Sequence, residues 1–150
     1  MYNITLICVG QLREPYFKAA ASEYEKRLGA YCRFRCTELQ PTADTTNDAM
    51  AARILAALPE RAYKIALCVE GKQFDSVEFA QLLESLPGRG FSETVFLIGG
   101  SDGLPESVKA ACHLRLSFSA MTFPHQLMRV FLTEQIYRAF TIHHNGKYHK

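Results

Sequence analysis

Short β-branched or apolar runs alternate with helix-period segments from one end of this 150-residue chain to the other. That alternation limits the possible folds more than any other feature. Ile4-Thr5-Leu6-Ile7-Cys8-Val9 reads as a buried strand stopped by Gly10. Phe17, Ala20, Ala21, Tyr24 and Leu28 then mark one face of a helix that ends near Gly29. Cys32 to Thr37 alternates apolar and polar, as a strand with one wet face near a sheet edge does. A polar loop from Gln40 to Asp48 leads into a helix from about Asp48 to Leu58. Ile65 to Val69 is a third strand, ending at Glu70-Gly71-Lys72. Ser76 reads as the N-cap of a helix whose face is Phe79, Leu82, Leu83 and Leu86. Thr94 to Ile98 is a fourth strand and Leu114 to Leu116 a short fifth, and a long last helix covers about Pro124 to Ile142. Strands and helices in this order predict an α/β fold, a mostly parallel sheet with helices on both faces. No repeat or linker divides the chain, so residues 1–150 are read as a single domain.

Composition excludes several classes. No apolar run approaches the roughly 20 residues that span a bilayer. The start, Met1-Tyr2-Asn3-Ile4, lacks the basic-then-apolar layout of a secretory signal, so the expected location is the cytoplasm. The five cysteines agree, being odd in number and without a Cys-x-x-Cys pair. Cys32 and Cys36 share a strand face about 13 Å apart at about 3.3 Å per residue, too far for a disulfide. Reduced cysteines acting as small core hydrophobes are expected. The net charge of +2 is modest, but residues 125–150 hold Arg129, Arg138, Lys147 and Lys150 against Glu134 alone, and four of the five histidines. A basic end of this kind suits a polyanionic partner.

Ligands of open parallel sheets bind at the carboxyl ends of the strands, and three loops there carry unusual residues. One is Leu67 to Lys72. The second, Ile98-Gly99-Gly100-Ser101-Asp102-Gly103-Leu104-Pro105, places three glycines directly after a buried strand. Glycines permit positive φ and close backbone approach to a ligand. An adenosine-type cofactor held by main-chain groups fits that loop, and so does an ordinary tight turn. No Gly-x-Gly-x-x-Gly follows strand one and no Gly-Lys-Ser/Thr loop occurs, which disfavours dinucleotide and P-loop chemistry. The third loop, Ser117 to His125, has Ser117, Ser119 and Thr122 as possible caps and Pro124 suited to the first helical turn. A charged His125 would be disfavoured at that helix N-terminus, so a neutral, hydrogen-bonded imidazole is expected.

The last helix is apolar almost all round, through Leu127, Met128, Val130, Phe131, Leu132, Ile136, Tyr137, Ala139, Phe140 and Ile142. Such a helix is central to a core or shared with a second subunit. Glu134 and Arg138 stand at i,i+4, which on a wet face is a weak solvated pair. The tail from His143 to Lys150 is polar, and tails tend to fray. No acidic or cysteine ligand accompanies its histidines at metal-site spacing, so no metal is expected.

Taken together, Phe96 to Leu104, Met121-Thr122-Phe123-Pro124-His125, Arg129, Glu134 to Ala139 and the terminal Tyr148-His149 resemble the RlmH family. The resemblance runs the whole length and includes Gly71 to Ser76. The family consists of SPOUT-class, S-adenosylmethionine-dependent methyltransferases that act on N3 of a pseudouridine in bacterial 23S ribosomal RNA. The resemblance implies that Leu67, Gly99, Gly100, Gly103 and the stretch Ala120, Met121, Thr122, Phe123, Pro124, His125 bind S-adenosylmethionine. It implies a homodimer meeting near the last helix, and a C-terminal trefoil knot that connectivity rules alone would reject. His149 is then the candidate base or base positioner and Tyr148 the residue that orders the RNA. Arg129, Arg138, Lys147 and Lys150 would grip phosphates or hold the dimer together. Lys147 stands where many members of the family have proline. The modest charge and lack of an added RNA-binding domain favour the assembled ribosome as substrate over free RNA. A non-catalytic RNA- or ribosome-binding module on the same scaffold is the competing reading. A Cys/His hydrolase lacks any Gly-x-Ser-x-Gly elbow.

Overall fold

Five strands pair in parallel in a single sheet: β1 (Tyr2–Val9), β2 (Cys32–Leu39), β3 (Tyr63–Gln73), β4 (Glu93–Ile98) and β5 (Leu114–Ser117), in the order β2-β1-β4-β3-β5. The computed structural model describes residues 1–41 and 47–150. The centre of the polar loop read between Gln40 and Asp48 lies outside the described residues. The helices are α1 (Pro15–Leu28), α2 (Asn47–Ala57), α3 (Ser76–Ser85), α4 (Glu106–Ala110) and α5 (His125–His143).

Because side chains alternate along a strand, β1 feeds two cores. Ile4, Leu6 and Cys8 point into the larger one, with Leu28 of α1, Phe79 and Leu83 of α3, and Leu132 and Ile136 of α5. Ile7 and Val9 point the other way, against Ile54 of α2 and Val108 of α4. On the first face α5 packs between α1 and α3. Leu132 and Ile136 are fully buried, and truncating either to alanine costs about 2–5 kcal/mol. Among the described residues β2 pairs with β1 alone, and it shows the wet alternation expected of an edge.

Three local expectations change. The α3 N-cap is Asp75, one residue before Ser76: its carboxylate accepts from the Glu78 N–H at 2.7 Å, and the Glu78 side chain returns to the Asp75 N–H. Ser76 instead donates through Oγ to Gln135 of α5 at 2.8 Å. Pro124 precedes α5 as its cap residue rather than lying in its first turn. β3 does not end at Val69. Its pairing with β5 breaks after Leu67↔Leu116 and resumes at Lys72↔Leu116, so Cys68 to Gly71 bow out of the ladder. A Cβ on Gly71 would lie 2.6 Å from the Arg115 carbonyl carbon, so the chain returns to the sheet there only as glycine.

The amino ends of β3 and β5 are pinned by His113. Its ring Nδ1 accepts the Lys64 backbone N–H at 3.0 Å, the His113 backbone N–H donates to the Lys64 carbonyl at 2.8 Å, and the ring stacks on Tyr63. Burial first, then the charges of Lys64 and Arg89, hold its pKa below the ordinary 6.5. Above 6.5 the ring is neutral in both folded and unfolded chains, and this contribution to stability is complete. As pH falls through 6.5 the unfolded chain takes the proton first, so stability falls until the folded ring protonates. The urea midpoint measured on either side of 6.5 should drop more on acidification in the wild type than in His113→Phe.

Candidate active site

At the carboxyl ends of β3, β4 and β5 lies a cavity of about 640 Å³, within the usual range for small-molecule sites. Leu67 of β3 and Ile98 of β4 form its floor, the Gly99–Gly103 turn one wall, and Met121 to His125 the other. Of the residues expected to bind S-adenosylmethionine, Leu67, Gly99, Gly100, Gly103, Met121, Thr122, Phe123, Pro124 and His125 all line it. Ala120 does not; it is exposed outside the lining.

The glycine turn closes on itself. Gly103 donates its N–H to the Gly100 carbonyl at 3.0 Å and has φ of +73°. Gly99 is the tightest position: a Cβ there would stand 2.4 Å from the Gly103 carbonyl carbon and 2.6 Å from the Leu104 nitrogen. A Cβ on Gly100 would meet Val9, nearest at its Cγ1 at 3.3 Å, with its Cβ and carbonyl oxygen at 3.8 Å. The opposite loop is braced by its own serines rather than by capping α5. Ser117 Oγ donates to the Ser119 carbonyl, and Ser119 Oγ accepts the Met121 N–H. No side chain caps α5, so its first-turn N–H groups remain for a ligand. The expected hydrogen bond of His125 is not made: among the described residues its half-buried ring has no partner.

Sequence reasoning missed the ionic rim of the cavity. Lys109 reaches back from α4 to Glu70 at 2.6 Å, in the bowed part of β3, and lies 3.7 Å from Glu106, which pairs with Arg115 of β5 at 2.7 Å. Lys109 holds the Glu70 carboxyl below the usual carboxylate range. One chain of charges thus ties together three segments that build the cavity. The cysteine in the lining, Cys68, has its pKa raised by burial and by Glu70, so it stays a thiol at neutral pH and is no nucleophile. All five cysteines are free, and burial pushes Cys32 up to about 12 and Cys112 up to about 11. Among the described residues no group of His, Cys, Asp and Glu is placed to hold a metal, and no helix is long and apolar enough to cross a membrane.

The tail does not fray. Tyr148 Oη donates to Glu134 Oε1 at 2.9 Å, Arg138 donates to the same carboxylate at 2.7 Å, and Arg138 Nη1 donates to His149 Nδ1 at 3.0 Å. The Arg138 guanidinium lies over the Tyr148 ring. The Glu134–Arg138 pair, read as solvated, is instead largely covered, with side-chain exposures of 15% and 24%. Burial, then hydrogen bonds to Tyr24 and Glu134, raises the Tyr148 pKa, so its phenol remains a donor. Guanidinium has no acceptor, so His149 receives at Nδ1 and carries its proton on Nε2. Neither Tyr148 nor His149 lines the cavity of its own chain.

Arg129 differs from expectation. Its side chain is only 11% exposed, paired with Glu38 of β2 at 2.6 Å, and its Nε is buried without a partner among the described residues. It fastens α5 to the edge strand within one chain, which leaves it badly placed for a phosphate or a second subunit. Lys147 and Lys150 are exposed.

Residues 2–149 match the family model described as predicted SPOUT methyltransferase. The chain is 46% identical over 158 aligned positions to the "Ribosomal RNA large subunit methyltransferase H" of Streptococcus thermophilus, with 99% of each chain covered. It is 44% identical to the protein of the same name from Leuconostoc mesenteroides, at the same coverage. Among solved structures it resembles a probable methylase family protein from Haemophilus influenzae, with a TM-score of 0.58, 12% identity, 99% of this chain and 71% of the other. It also resembles the SpoU methyltransferase AviRb of Streptomyces viridochromogenes, solved with AdoMet, with a TM-score of 0.50, 15% identity, 97% of this chain and 59% of the other. At such identities the two structures speak for the fold alone.

Proposed function

This chain belongs to the SPOUT methyltransferase family, and from that premise we propose that it transfers the methyl group of S-adenosylmethionine to N3 of a pseudouridine in large-subunit ribosomal RNA. The observation that carries the reading is the cavity at the carboxyl edge, walled by the Gly99–Gly103 turn and the Met121–His125 loop. Its two loops offer main-chain groups and small side chains to an adenosine, and the uncapped start of α5 offers N–H groups to a carboxylate. Gly99 keeps the turn closed where any side chain would open it. Lys109 and Glu70 hold the rim.

S-adenosylmethionine supplies an electrophilic methyl on a sulfonium, and positioning accounts for most of the acceleration of such a displacement. The chain must also take up the imide proton as N3 gains the methyl. His149 is the proposed acceptor. Bound to Arg138 it offers only its Nε2–H, so it becomes a base when Arg138 releases Nδ1. While still held, the ring can donate to an imide oxygen and stabilise the charge that develops there.

The proposal includes a homodimer. Phe131 of α5 is 38% exposed and Met121 73% exposed. Phe131, Phe74, Phe118 and Phe123 line a groove of about 400 Å³ that shares Phe118 and Phe123 with the donor cavity and ends at Glu134. A second copy seated there covers these rings and brings its own tail to the neighbouring cavity. The C-terminal trefoil knot belongs to the same reading, as do a single domain over 1–150 and a cytoplasmic location.

The test is incubation with methyl-labelled S-adenosylmethionine and free ribosomal RNA, large subunits or whole ribosomes. Label should enter large-subunit RNA at a pseudouridine, most efficiently in assembled particles. Tight binding to ribosomes with no label in any RNA would favour the non-catalytic module instead.

A further inference from the structure

A second cavity, of about 510 Å³, opens on the other side of the glycine turn. It shares Gly100 to Gly103 and His125 with the donor cavity, so the two are separated by one turn of backbone and one imidazole. It lies at the carboxyl ends of β1, β2 and β4. In an open sheet a crevice forms where neighbouring strands send their connections to opposite faces. β1 continues into α1 on the larger core, whereas β2 and β4 continue into α2 and α4 on the smaller one.

Its polar lining is unusual in kind. Gln11, Gln40, Asn47 and Gln126 supply four side-chain amides, and among the described residues its charged side chains are Arg13 and Asp102, of opposite sign. Such a lining offers a phosphate no excess of cations to pair with. Amides both donate and accept, which is the capacity needed to read the edge of a neutral heterocycle. The cleft is also held in shape. The Gln126 carbonyl oxygen takes the Arg13 N–H at 2.9 Å, joining the loop after β1 to the first turn of α5. Arg53 of α2 donates to the Gln40 carbonyl at 2.7 Å. The Gln126 NH₂ and, among the described residues, the side-chain amides of Gln11, Gln40 and Asn47 remain unpaired within the chain.

We propose that this second cavity seats an unstacked RNA base flanking the target nucleotide, read at its edge by the amides of Gln40 and Asn47. The inference rests on the RNA-methyltransferase reading above. Sequence-specific RNA recognition works on bases splayed out of their stack, and a target held against the donor leaves its neighbour just across the glycine turn. The amides then supply specificity, while the donor cavity supplies the chemistry.

The experiment compares wild type with Gln40→Ala/Asn47→Ala, using labelled S-adenosylmethionine and ribosomes bearing either the native target or a base change next to it. The double variant should raise KM for native ribosomes about tenfold and lose the wild type's discrimination between the two ribosomes. Its affinity for S-adenosylmethionine and its thermal midpoint should match the wild type. Unchanged KM and unchanged discrimination would overturn the second site while leaving the methyltransferase reading intact. Equal loss on both ribosomes with a lowered thermal midpoint would overturn it as well, showing only a structural role. A wild type that labels no RNA would instead remove the reading on which it rests.

Discussion

Gly99→Ala should weaken S-adenosylmethionine binding about 100-fold or more, whereas Gly100→Ala should change it by about threefold at most. The two glycines are adjacent in the same loop, but their surroundings differ. A methyl on Gly99 lands 2.4 Å from the Gly103 carbonyl carbon and 2.7 Å from its oxygen. Those are backbone atoms of the turn itself, so the turn must open and the wall of the cavity goes with it. A methyl on Gly100 meets Val9, nearest at its Cγ1 methyl at 3.3 Å, which can yield by a small side-chain shift. Calorimetric titration of both variants, with circular dichroism to verify folding, separates them. Equal affinity of Gly99→Ala and wild type would move the donor to another cavity.

Deleting Tyr148 to Lys150 should lower methyl transfer about 10²–10⁴-fold, the usual worth of a positioned proton acceptor, and leave donor affinity unchanged. None of the deleted residues lines the donor cavity of its own chain, and the tail that reaches it from a second copy is assigned to the RNA rather than to the donor, so a loss of donor binding is not expected. Glu134 and Arg138 keep each other as partners, and α5 should retain its packing. Single-turnover rates with saturating donor give the comparison. Full activity in the truncated protein would assign the proton to another acceptor.

The features legible in the sequence are those encoded locally. Strand and helix periods along β1, α1, β4 and α5 placed the sheet and its two cores, and the three glycines after β4 marked a wall of the cavity at the carboxyl edge. What escaped depends on partners distant in the chain. Lys72 and Gln73 rejoin the sheet only because β5 offers them a ladder across the bulge. α4 is five residues long, too short to show a period, and so Lys109 went unnoticed at the rim. The tail reads as free because its anchor Glu134 lies 14 residues earlier, inside α5, and meets Tyr148 only when the tail folds back along the helix. Arg129 looked available because Glu38 meets it from β2, across 91 residues. Composition reports such charges but not which of them are already engaged.

The separation of tail from cavity within one chain leads to the most direct test. Gly99→Ala subunits keep the tail and lose the cavity; tail-deleted subunits keep the cavity and lose the tail. Each alone should be nearly inactive. Mixed in equal amounts and allowed to exchange subunits, they should regain about a quarter of wild-type methylation of ribosomes, since random pairing makes half the dimers mixed, each with one complete site. A mixture no more active than its two components would contradict a reaction centre formed where the tail of one copy meets the cavity of another.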